Sequence, residues 1–453
     1  VDAGDFAWKT PALKGNRLAQ QRRKAELQLA AFGKGGMDAL LPGDGDLALG
    51  PAWLQGQAAA AGVPMVLANV QCEGAEPFAP AAVVERGGVK SLIVGIMAEQ
   101  ARLPKGCVAS RAQPALEAVL ASAGAVDLVV VLSHQDPADD ATLAEAVPAT
   151  DLFVNGGSGA SFSEPRALPG AALQLAAGSR GKKLGEATIT LHPGARGFEN
   201  EGATQELAGK LDRTRTRLET ARKQVESTDD PEKRQRAERR VAHFEEEAVR
   251  LEAELELVLA ARTEPRNTLT NLLRALTEQV VDDPEVGAMV EAAKPGIEAA
   301  ARAGGVVEED PHAGHGHGPG EGHASPELAY AGSAACAACH PSQTAQWKQT
   351  RHASAWTSLV EEKRQMDLDC WSCHATGADQ PGGPQHPTQV TTALEGVGCE
   401  SCHGPGRAHA QRPKDHGVVA DPPLATCTGC HDGEQDEGRF DPATYRPRVV
   451  HAP

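Results

Sequence analysis

Large aromatic side chains are scarce. Two tyrosines, eight phenylalanines and five tryptophans make up 3% of the 453 residues, so rings of the protein's own cannot fill much of a core. Positive charge is also short: 44 Lys and Arg stand against 61 Asp and Glu, a formal charge of −17. That excess argues against a nucleic-acid partner, because binding phosphates needs concentrated cations. A basic or neutral docking partner suits it better. No apolar run approaches the ~20 residues of a membrane helix. The longest, around Val126–Leu132, reads as a buried strand. The chain opens on Val1 rather than Met, so the expectation is that an export signal or lipid anchor has been removed, or that the start lies further upstream.

What is present is enough for several domains. Hydrophobic residues reach 41%, which allows a sizeable core over a length suited to two or three domains. Residues 1–198 alternate short apolar runs with helical stretches. Candidate strands are Met65–Val70, Val89–Met97, Asp127–Leu132, Asp151–Val154, Ala171–Ala176 and Glu186–Leu191, with helices around Asn16–Phe32 and Gln113–Ser122. That order predicts an α/β domain with sheet layers and flanking helices.

Residues 199–305 are charged and periodic. Leu207, Leu211, Thr214, Leu218, Ala221 and Val225 make one apolar stripe, and Val241, Phe244, Ala248, Leu251, Leu255 and Val258 another. Between them, Asp230 can cap a helix whose first residue is Pro231. The pattern predicts an antiparallel hairpin with arms of roughly 35 Å, packed stripe to stripe as a coiled coil. A spacer is the simpler role; an oligomerisation or docking arm is the sharper one. Further helices are expected over Thr268–Val280 and Pro284–Ala303. Residues 306–328 contain Pro311-His-Ala-Gly-His-Gly-His-Gly-Pro-Gly-Glu-Gly-His323, a tract that cannot bury a core and reads as a linker. Its His312, His315, His317 and His323 offer metal donors, although a solvated linker accounts for them without a metal.

Residues 329–453 carry the chemistry. Eight of the ten cysteines lie between Cys336 and Cys430. They form four copies of Cys-x-x-Cys-His: Cys336/Cys339/His340, Cys370/Cys373/His374, Cys399/Cys402/His403 and Cys427/Cys430/His431. Two thiols at this spacing add to the two vinyl groups of one haem, and the adjacent histidine reaches the iron. Zinc can use paired cysteines, but it does not demand a histidine after every second one. Four c-type haems are therefore expected, with His340, His374, His403 and His431 as proximal ligands. So short a segment must pack its haems closely, which suits electron hopping.

The second axial ligand sets the potential, methionine raising it relative to histidine. Met366 is the sole methionine here, whereas His352, His386, His409, His416 and His451 are spare. Mostly bis-histidine, low-potential haems follow. His352, in Trp347-Lys-Gln-Thr-Arg-His-Ala-Ser-Ala-Trp356, is the first candidate, His409 the second and His451 the third. His386 and His416 lie in Pro/Gly-rich loops and rank below them. A haem left without a sixth ligand would be open to small molecules.

Gly332-Ser-Ala-Ala-Cys-Ala-Ala-Cys-His340, followed by Trp347 and Arg351-His-Ala353, resembles the tetrahaem cytochrome c-554-type family, which accepts electrons during hydroxylamine oxidation. Gly396-Val-Gly-Cys-Glu-Ser-Cys-His-Gly-Pro-Gly406 with His409 does the same. The resemblance covers about residues 329–453. It implies proximal ligation at the four motif histidines and distal ligation by His352 and His409, less firmly by His451.

Residues 1–198 resemble the metallophosphatase domain of periplasmic 5′-nucleotidases. The matching pieces are Val1-Asp-Ala-Gly-Asp5, Ala39-Leu-Leu-Pro-Gly-Asp-Gly-Asp46, Val63-Pro-Met-Val-Leu-Ala-Asn-Val70, Leu132-Ser-His134, Asp151-Leu-Phe-Val-Asn-Gly-Gly-Ser-Gly159 and Ala177-Gly-Ser-Arg-Gly181. The family holds two metal ions that generate a hydroxide nucleophile. Here its Gly-Asn-His-Glu segment is Gly43-Asp-Gly-Asp46, and its Gly-His-Ser-His segment is Gly156-Gly-Ser-Gly159. The family's first Asp-x-His motif would precede Val1. Asp5, Asp44 and His134 remain, enough for one cation at most. An inactive scaffold is expected, with no catalytic residue. Cys72 and Cys107 are left to form a disulfide or stay as buried thiols.

The whole reads as a multidomain electron carrier facing the periplasm or the cell exterior, with a lipid anchor as an option. Its expected partners are a redox donor and acceptor, in reach of a membrane-associated respiratory complex, with self-association through the hairpin a further option. Two rivals stand beside it: a redox enzyme acting on a small nitrogen or sulfur species at a five-coordinate haem, and an active phosphoesterase with a cytochrome tail.

Overall fold

The computed structural model describes residues 1–11, 13, 15–157, 159–160, 162–195, 197–228, 230–260, 267–277, 279–304, 329–432 and 439–451. The His/Gly-rich tract expected as a linker lies outside the described residues. The chain forms two compact units. One comprises residues 1–12 and 29–281, the other residues 13–28 and 282–453.

The first unit is built on a six-stranded sheet. In chain order its strands are β2 (Ala81–Arg86), β3 (Val89–Met97), β5 (Leu128–His134), β6 (Leu152–Asn155), β7 (Arg166–Ala167) and β8 (Leu173–Leu175), arranged β2-β3-β5-β6-β8-β7. β3, β5, β6 and β8 run parallel, and the outer strands β2 and β7 are antiparallel to their neighbours. Every residue of β5 is buried, as expected of a parallel strand covered on both faces. Alternate residues feed separate cores. Ile93, Met97, Leu128, Val130 and Leu132 pack on one face with Leu40, Val66, Leu47 of α2 (Asp44–Leu47) and Leu54 of α3 (Pro51–Ala61). Leu92, Val94, Ile96, Val131 and Phe153 pack on the other with α4 (Ala112–Ser122) and α5 (Pro137–Ala146), through Leu116, Val119 and Leu143.

The expected strand at Met65–Val70 is mostly single bridges, Leu40 to Met65 and Val66 to Ala79. Only Val70 enters a strand, β1 (Val70–Cys72), which pairs antiparallel with β4 (Cys107–Ala109). There Cys72 faces Cys107 in register, and the two are disulfide-bonded.

A three-stranded sheet follows in the order β10-β11-β9, from β9 (Lys183–Thr190), β10 (Phe198–Asn200) and β11 (Asn267–Ala275). β11 corrects the helix expected over Thr268–Val280. Its Thr268 and Thr270 alternate with Asn267 and Leu269, which are buried, and it pairs with β9 from Thr268 to Ala275. Alternation with β-branched residues favours a strand. Helices α6 (Glu201–Ser227) and α7 (Pro231–Ala260) lie antiparallel, with Leu211, Ala248 and Leu251 buried beside Leu207 and Leu255. Ion pairs Arg222–Glu245 and Arg215–Glu252 line their exposed flanks. Asp230 Oδ1 accepts from the amides of Glu232 and Lys233, capping α7 as its sequence predicts.

The second unit contains α8 (Pro284–Gly304) and short helices: α9 (Ser333–Cys336), α10 (Pro341–Trp347), α11 (Ala355–Glu361), α12 (Trp371–His374), α13 (Cys399–His403), α14 (Arg407–Gln411), α15 (Leu424–Thr428) and α16 (Pro442–Tyr445). It also takes in residues 15–28 of α1 (Gly15–Lys34). Gln20 Nε2 donates to Met366 O at 2.9 Å, and Leu368 N donates back to Gln20 Oε1 at 2.9 Å. Lys24 Nζ lies 2.5 Å from Asp367 and 2.7 Å from Asp369, while Arg17 reaches Asp369 and Asp379. A small apolar cluster of Ala301, Trp356, Leu359, Met366, Leu368 and Trp371 sits beneath. Among the described residues no helix is long and apolar enough to cross a membrane.

Candidate functional site

The second unit gathers its histidines into facing pairs. The rings of His340 and His409 have centroids 6.5 Å apart and planes at 27°. Those of His352 and His431 are 6.2 Å apart at 46°, and those of His403 and His451 5.6 Å apart at 39°. Imidazole nitrogens bind transition metals at about 2 Å, so two rings that face one ion from opposite sides have centroids on the order of 6 Å apart. Each pair joins one motif histidine to one spare histidine from another part of the chain. The residues present therefore fit an iron held between two imidazoles at three motifs.

Backbone carbonyls orient several of these rings. The Nδ1 atoms of His403, His409 and His374 lie 2.6, 2.7 and 2.7 Å from the carbonyl oxygens of Val419, His416 and Ala355. Such a bond fixes the tautomer with Nδ1 protonated and leaves Nε2 as the ligating atom. Burial, followed by the nearby charge of His431, holds His352 below its usual range, which favours the neutral, ligating form. His374 faces no second histidine among the described residues. His386 is buried and commits both ring nitrogens, Nε2 to Ala301 O at 3.0 Å and Nδ1 to Thr388 Oγ1 at 2.8 Å, and it joins no pair.

The attachment cysteines of different motifs also meet. Cys336 and Cys399 are hydrogen-bonded through their side chains, as are Cys373 and Cys430, and Cys402 lies within the electrostatic reach of Cys427. Cys339 departs from this pattern. A haem tether is expected to be shielded, yet Cys339 is exposed while the other seven motif cysteines are half-buried. It lies in the turn between α9 and α10, where the amides of Cys339 and His340 both donate to Cys336 O, at 3.2 and 2.8 Å, but the fourth motif makes the same two bonds to Cys427 O, so the turn does not account for the exposure. The expectation that Cys339 binds haem therefore rests on its motif, not on its surroundings.

Sequence reasoning found no rule for the meetings of cysteines, nor for the carbonyls behind the rings. It also passed over Glu400, a buried carboxylate inside the third motif. A charged residue between two haem cysteines was the available signal.

In the first unit, Asp5, Asp44 and His134 each bring a ligand atom within 4.8 Å of the others. β5 delivers His134 at its carboxyl end, where Nδ1 lies 3.2 Å from Ala3 O, and Nε2 faces Asp5 at 3.5 Å and Asp44 at 3.6 Å. Burial pushes Asp5 up to about 6, moderated by His134. Burial, helped by Asp5, pushes Asp46 up to about 7. Asp46 accepts from the amides of Phe6, Ala7, Trp8 and Gly43, so the segment after Asp5 folds down over it.

This segment closes over the position that a side chain at Gly45 would need. A Cβ on Gly45 would lie 2.0 Å from Trp8 O, and one on Gly157 would lie 2.1 Å from Gln135 O. Main chain therefore fills two of the three positions where the resemblance would place histidines, whereas a Cβ on Gly159 would meet nothing nearer than Pro137, at 3.9 Å. The residues do not fit a dinuclear centre.

Known proteins resemble parts of this chain. Residues 335–404 match the family described as cytochrome c554 and c-prime. Cytochrome c-554 of Nitrosomonas europaea is 39% identical over 95 residues, covering 17% of this chain and 39% of that protein. The chain thus spans well under half the length of this relative. Among solved structures, the 5′-nucleotidase precursor of Thermus thermophilus is 26% identical with TM-score 0.34, over 42% of this chain and 41% of that one. Sulfate thiohydrolase SoxB of Thermus thermophilus is 23% identical with TM-score 0.36, over 43% and 36%. The calcineurin-like phosphoesterase YfkN of Bacillus subtilis is 13% identical with TM-score 0.39, over 66% and 84%.

Proposed function

We propose that this protein transfers electrons outside the cytoplasm through four covalently attached c-type haems. The three facing imidazole pairs are the observation that carries the reading. His340 with His409, His431 with His352, and His403 with His451 would each hold one iron, and His374 would hold the fourth alone. When bound, haem supplies a one-electron centre whose potential is lowered by bis-histidine ligation relative to a methionine ligand. The chain's own residues tether, orient and shield these centres. Cys336 would tether the first haem from the inside of the unit and Cys339 from its exposed edge. Val419, His416 and Ala355 aim Nε2 of three ligands through their carbonyls.

The contacts among cysteines support an order for the four sites. The thiols of the first motif meet those of the third, and those of the fourth meet those of the second, while the third and fourth lie within electrostatic reach of each other. Electrons would then enter or leave at the first and second motifs. The Cys72–Cys107 disulfide supports a periplasmic or exterior location. The first unit serves as a scaffold or docking module, since the glycines at 45 and 157 are closed by backbone. Donor and acceptor proteins, and contact with a membrane-associated respiratory complex or between hairpins of two copies, complete the reading.

A second reading rests on His374. With no facing histidine among the described residues, its haem would be five-coordinate and open to a small nitrogen or sulfur species. Magnetic circular dichroism and haem quantitation on the purified protein test both. Three low-spin centres and one high-spin centre per four haems are expected. Four haems that are all high-spin, or the absence of haem, would overturn the proposal. Cyanide or nitrite perturbing the high-spin centre alone would favour the second reading.

A further inference from the structure

Glu400 is a buried carboxylate set between two haem-attachment segments. It lies in α13, next to Cys399. Its Oε1 accepts from Ala331 N at 2.8 Å and from Gly406 N at 2.7 Å, and its Oε2 accepts from Gly332 N at 2.7 Å. Ala331 and Gly332 lead directly into α9 and Cys336. The side chain is 4% exposed. Among the described residues no Lys or Arg pairs with it. Arg407, four residues after His403, instead donates from Nε and Nη2 to Tyr330 O.

Three amides converge on its two oxygens, and hydrogen bonds to a charged group are the strong kind. They do not cancel its charge, as a cation would. In a poorly screened interior that charge acts at longer range than it would in water. Its field is felt on both sides of the site. After the Cys399 contact and burial, it pushes the Cys336 thiol up, and after burial it pushes up the Tyr330 phenol.

We propose that Glu400 sets the reduction potential of the centres at the first and third motifs, holding both below what bis-histidine ligation alone would give. An electron that arrives beside a fixed, uncompensated anion is disfavoured, so the oxidised form is stabilised. The second and fourth motifs share no backbone contact with this carboxylate and serve as an internal reference.

This inference rests on the four-haem reading, and haem content per chain, measured first by pyridine haemochrome, separates the two failures: a wild-type protein without haem sinks both, whereas a haem-loaded protein whose midpoints ignore Glu400 sinks the role of Glu400 alone. The test of Glu400 is spectroelectrochemical titration of the full-length haem-loaded protein and its Glu400→Gln variant. The variant keeps an acceptor oxygen and loses the charge. One or two of the four midpoints should rise, by about 59 mV for a tenfold change in the one-electron equilibrium, with low-spin spectra unaltered and the others unmoved. Four unchanged midpoints in a fully loaded variant would overturn the proposal. If Glu400→Gln does not load haem, Glu400→Asp and Glu400→Asn form a second pair of equal length. Midpoints higher in the Asn member support the proposal, and equal midpoints overturn it. Loading by Asp alone also overturns it, because the carboxylate would then be an assembly element.

Discussion

Lys24→Met should weaken the haem-bearing unit, although position 24 lies more than 300 residues from the motifs. Lys24 Nζ lies 2.5 Å from Asp367 and 2.7 Å from Asp369, and the Asp367 side chain is only 7% exposed. Burial alone would raise the Asp367 carboxyl. The attraction of Lys24, its hydrogen bond and that of Arg364 outweigh burial, and they hold the group down to about 2 from 3.8. A difference of that size corresponds to about 2 kcal/mol of stability. Because the folded value is the lower one, this stability is fully present above pH 4 and is lost as pH falls towards 2. Arg364 remains in the variant at 2.8 Å, but its side chain is 53% exposed and screened by water. Most of the ~2 kcal/mol should therefore go with Lys24. Urea unfolding of the haem-loaded protein, followed at the Soret band near neutral pH, should show a lower midpoint at constant slope. The loss of stability between about pH 5 and pH 2 should also be smaller than in the wild type. An unchanged urea midpoint at neutral pH would refute the assignment of this ion pair to the unit's stability.

Other outcomes follow from the same geometry. His451→Ala should turn one low-spin centre high-spin with covalent haem retained, read by magnetic circular dichroism; an unaltered low-spin count would separate His451 from His403. Gly45→His should not restore metal-dependent phosphate-ester hydrolysis, and should destabilise the first unit by about 3 kcal/mol, as overpacking does, since its Cβ would meet Trp8 O at 2.0 Å; full activity with unchanged melting would show that the loop yields. Removing the disulfide with Cys72→Ser and Cys107→Ser should cost about 4 kcal/mol for a loop of this length in the chain-entropy account, the two cysteines being 35 residues apart. A wild-type chain that yields two titratable thiols at these positions under denaturing, non-reducing conditions would remove the bond from consideration.

How far each feature could be read depended on how local its cause is. β3 appears at Val89–Met97 because its last six residues, from Leu92 to Met97, carry no polar side chain and are all buried. α7 starts at Pro231 because Asp230 supplies its own cap. The segment at Thr268 misled because Leu269, Leu272, Leu273 and Leu276 are spaced like a helix stripe, and β9, the strand that pairs with it, lies about 80 residues away in sequence. The role of α1 in the second unit had no local sign: Arg17 and Asp369 are 352 residues apart. His352, His409 and His451 stood out as spare donors. That His340 faces the histidine after the third motif, while His431 faces the one after the first, is a consequence of chain crossing that no spacing rule encodes. The four pentapeptides look alike in sequence, so nothing in them set Cys339 apart as the exposed thiol. In the first unit the glycines at 45 and 157 showed that donors were missing; that main chain had moved into their place became visible only in three dimensions.

The second unit raises a question of assembly. Its apolar cluster is small and partly alanine, with Ala301, Ala375 and Ala378 beside Trp356, Leu359, Met366, Leu368 and Trp371. Its motif helices run four or five residues, too short to persist by themselves. Order before haem attachment must therefore come from polar ties. Thr376 Oγ1 accepts from Gly398 N and donates to Gly396 O, Ser333 Oγ accepts from Cys399 N, Glu400 binds the approach to the first motif, and Gln20 binds the approach to the second. These bonds connect main chain from different motifs, and they hold the thiols of one motif near those of the next without a packed core. Attachment can then begin on a chain whose cysteines are already grouped, and the macrocycles add the apolar surface that a sequence with so few aromatic residues does not supply.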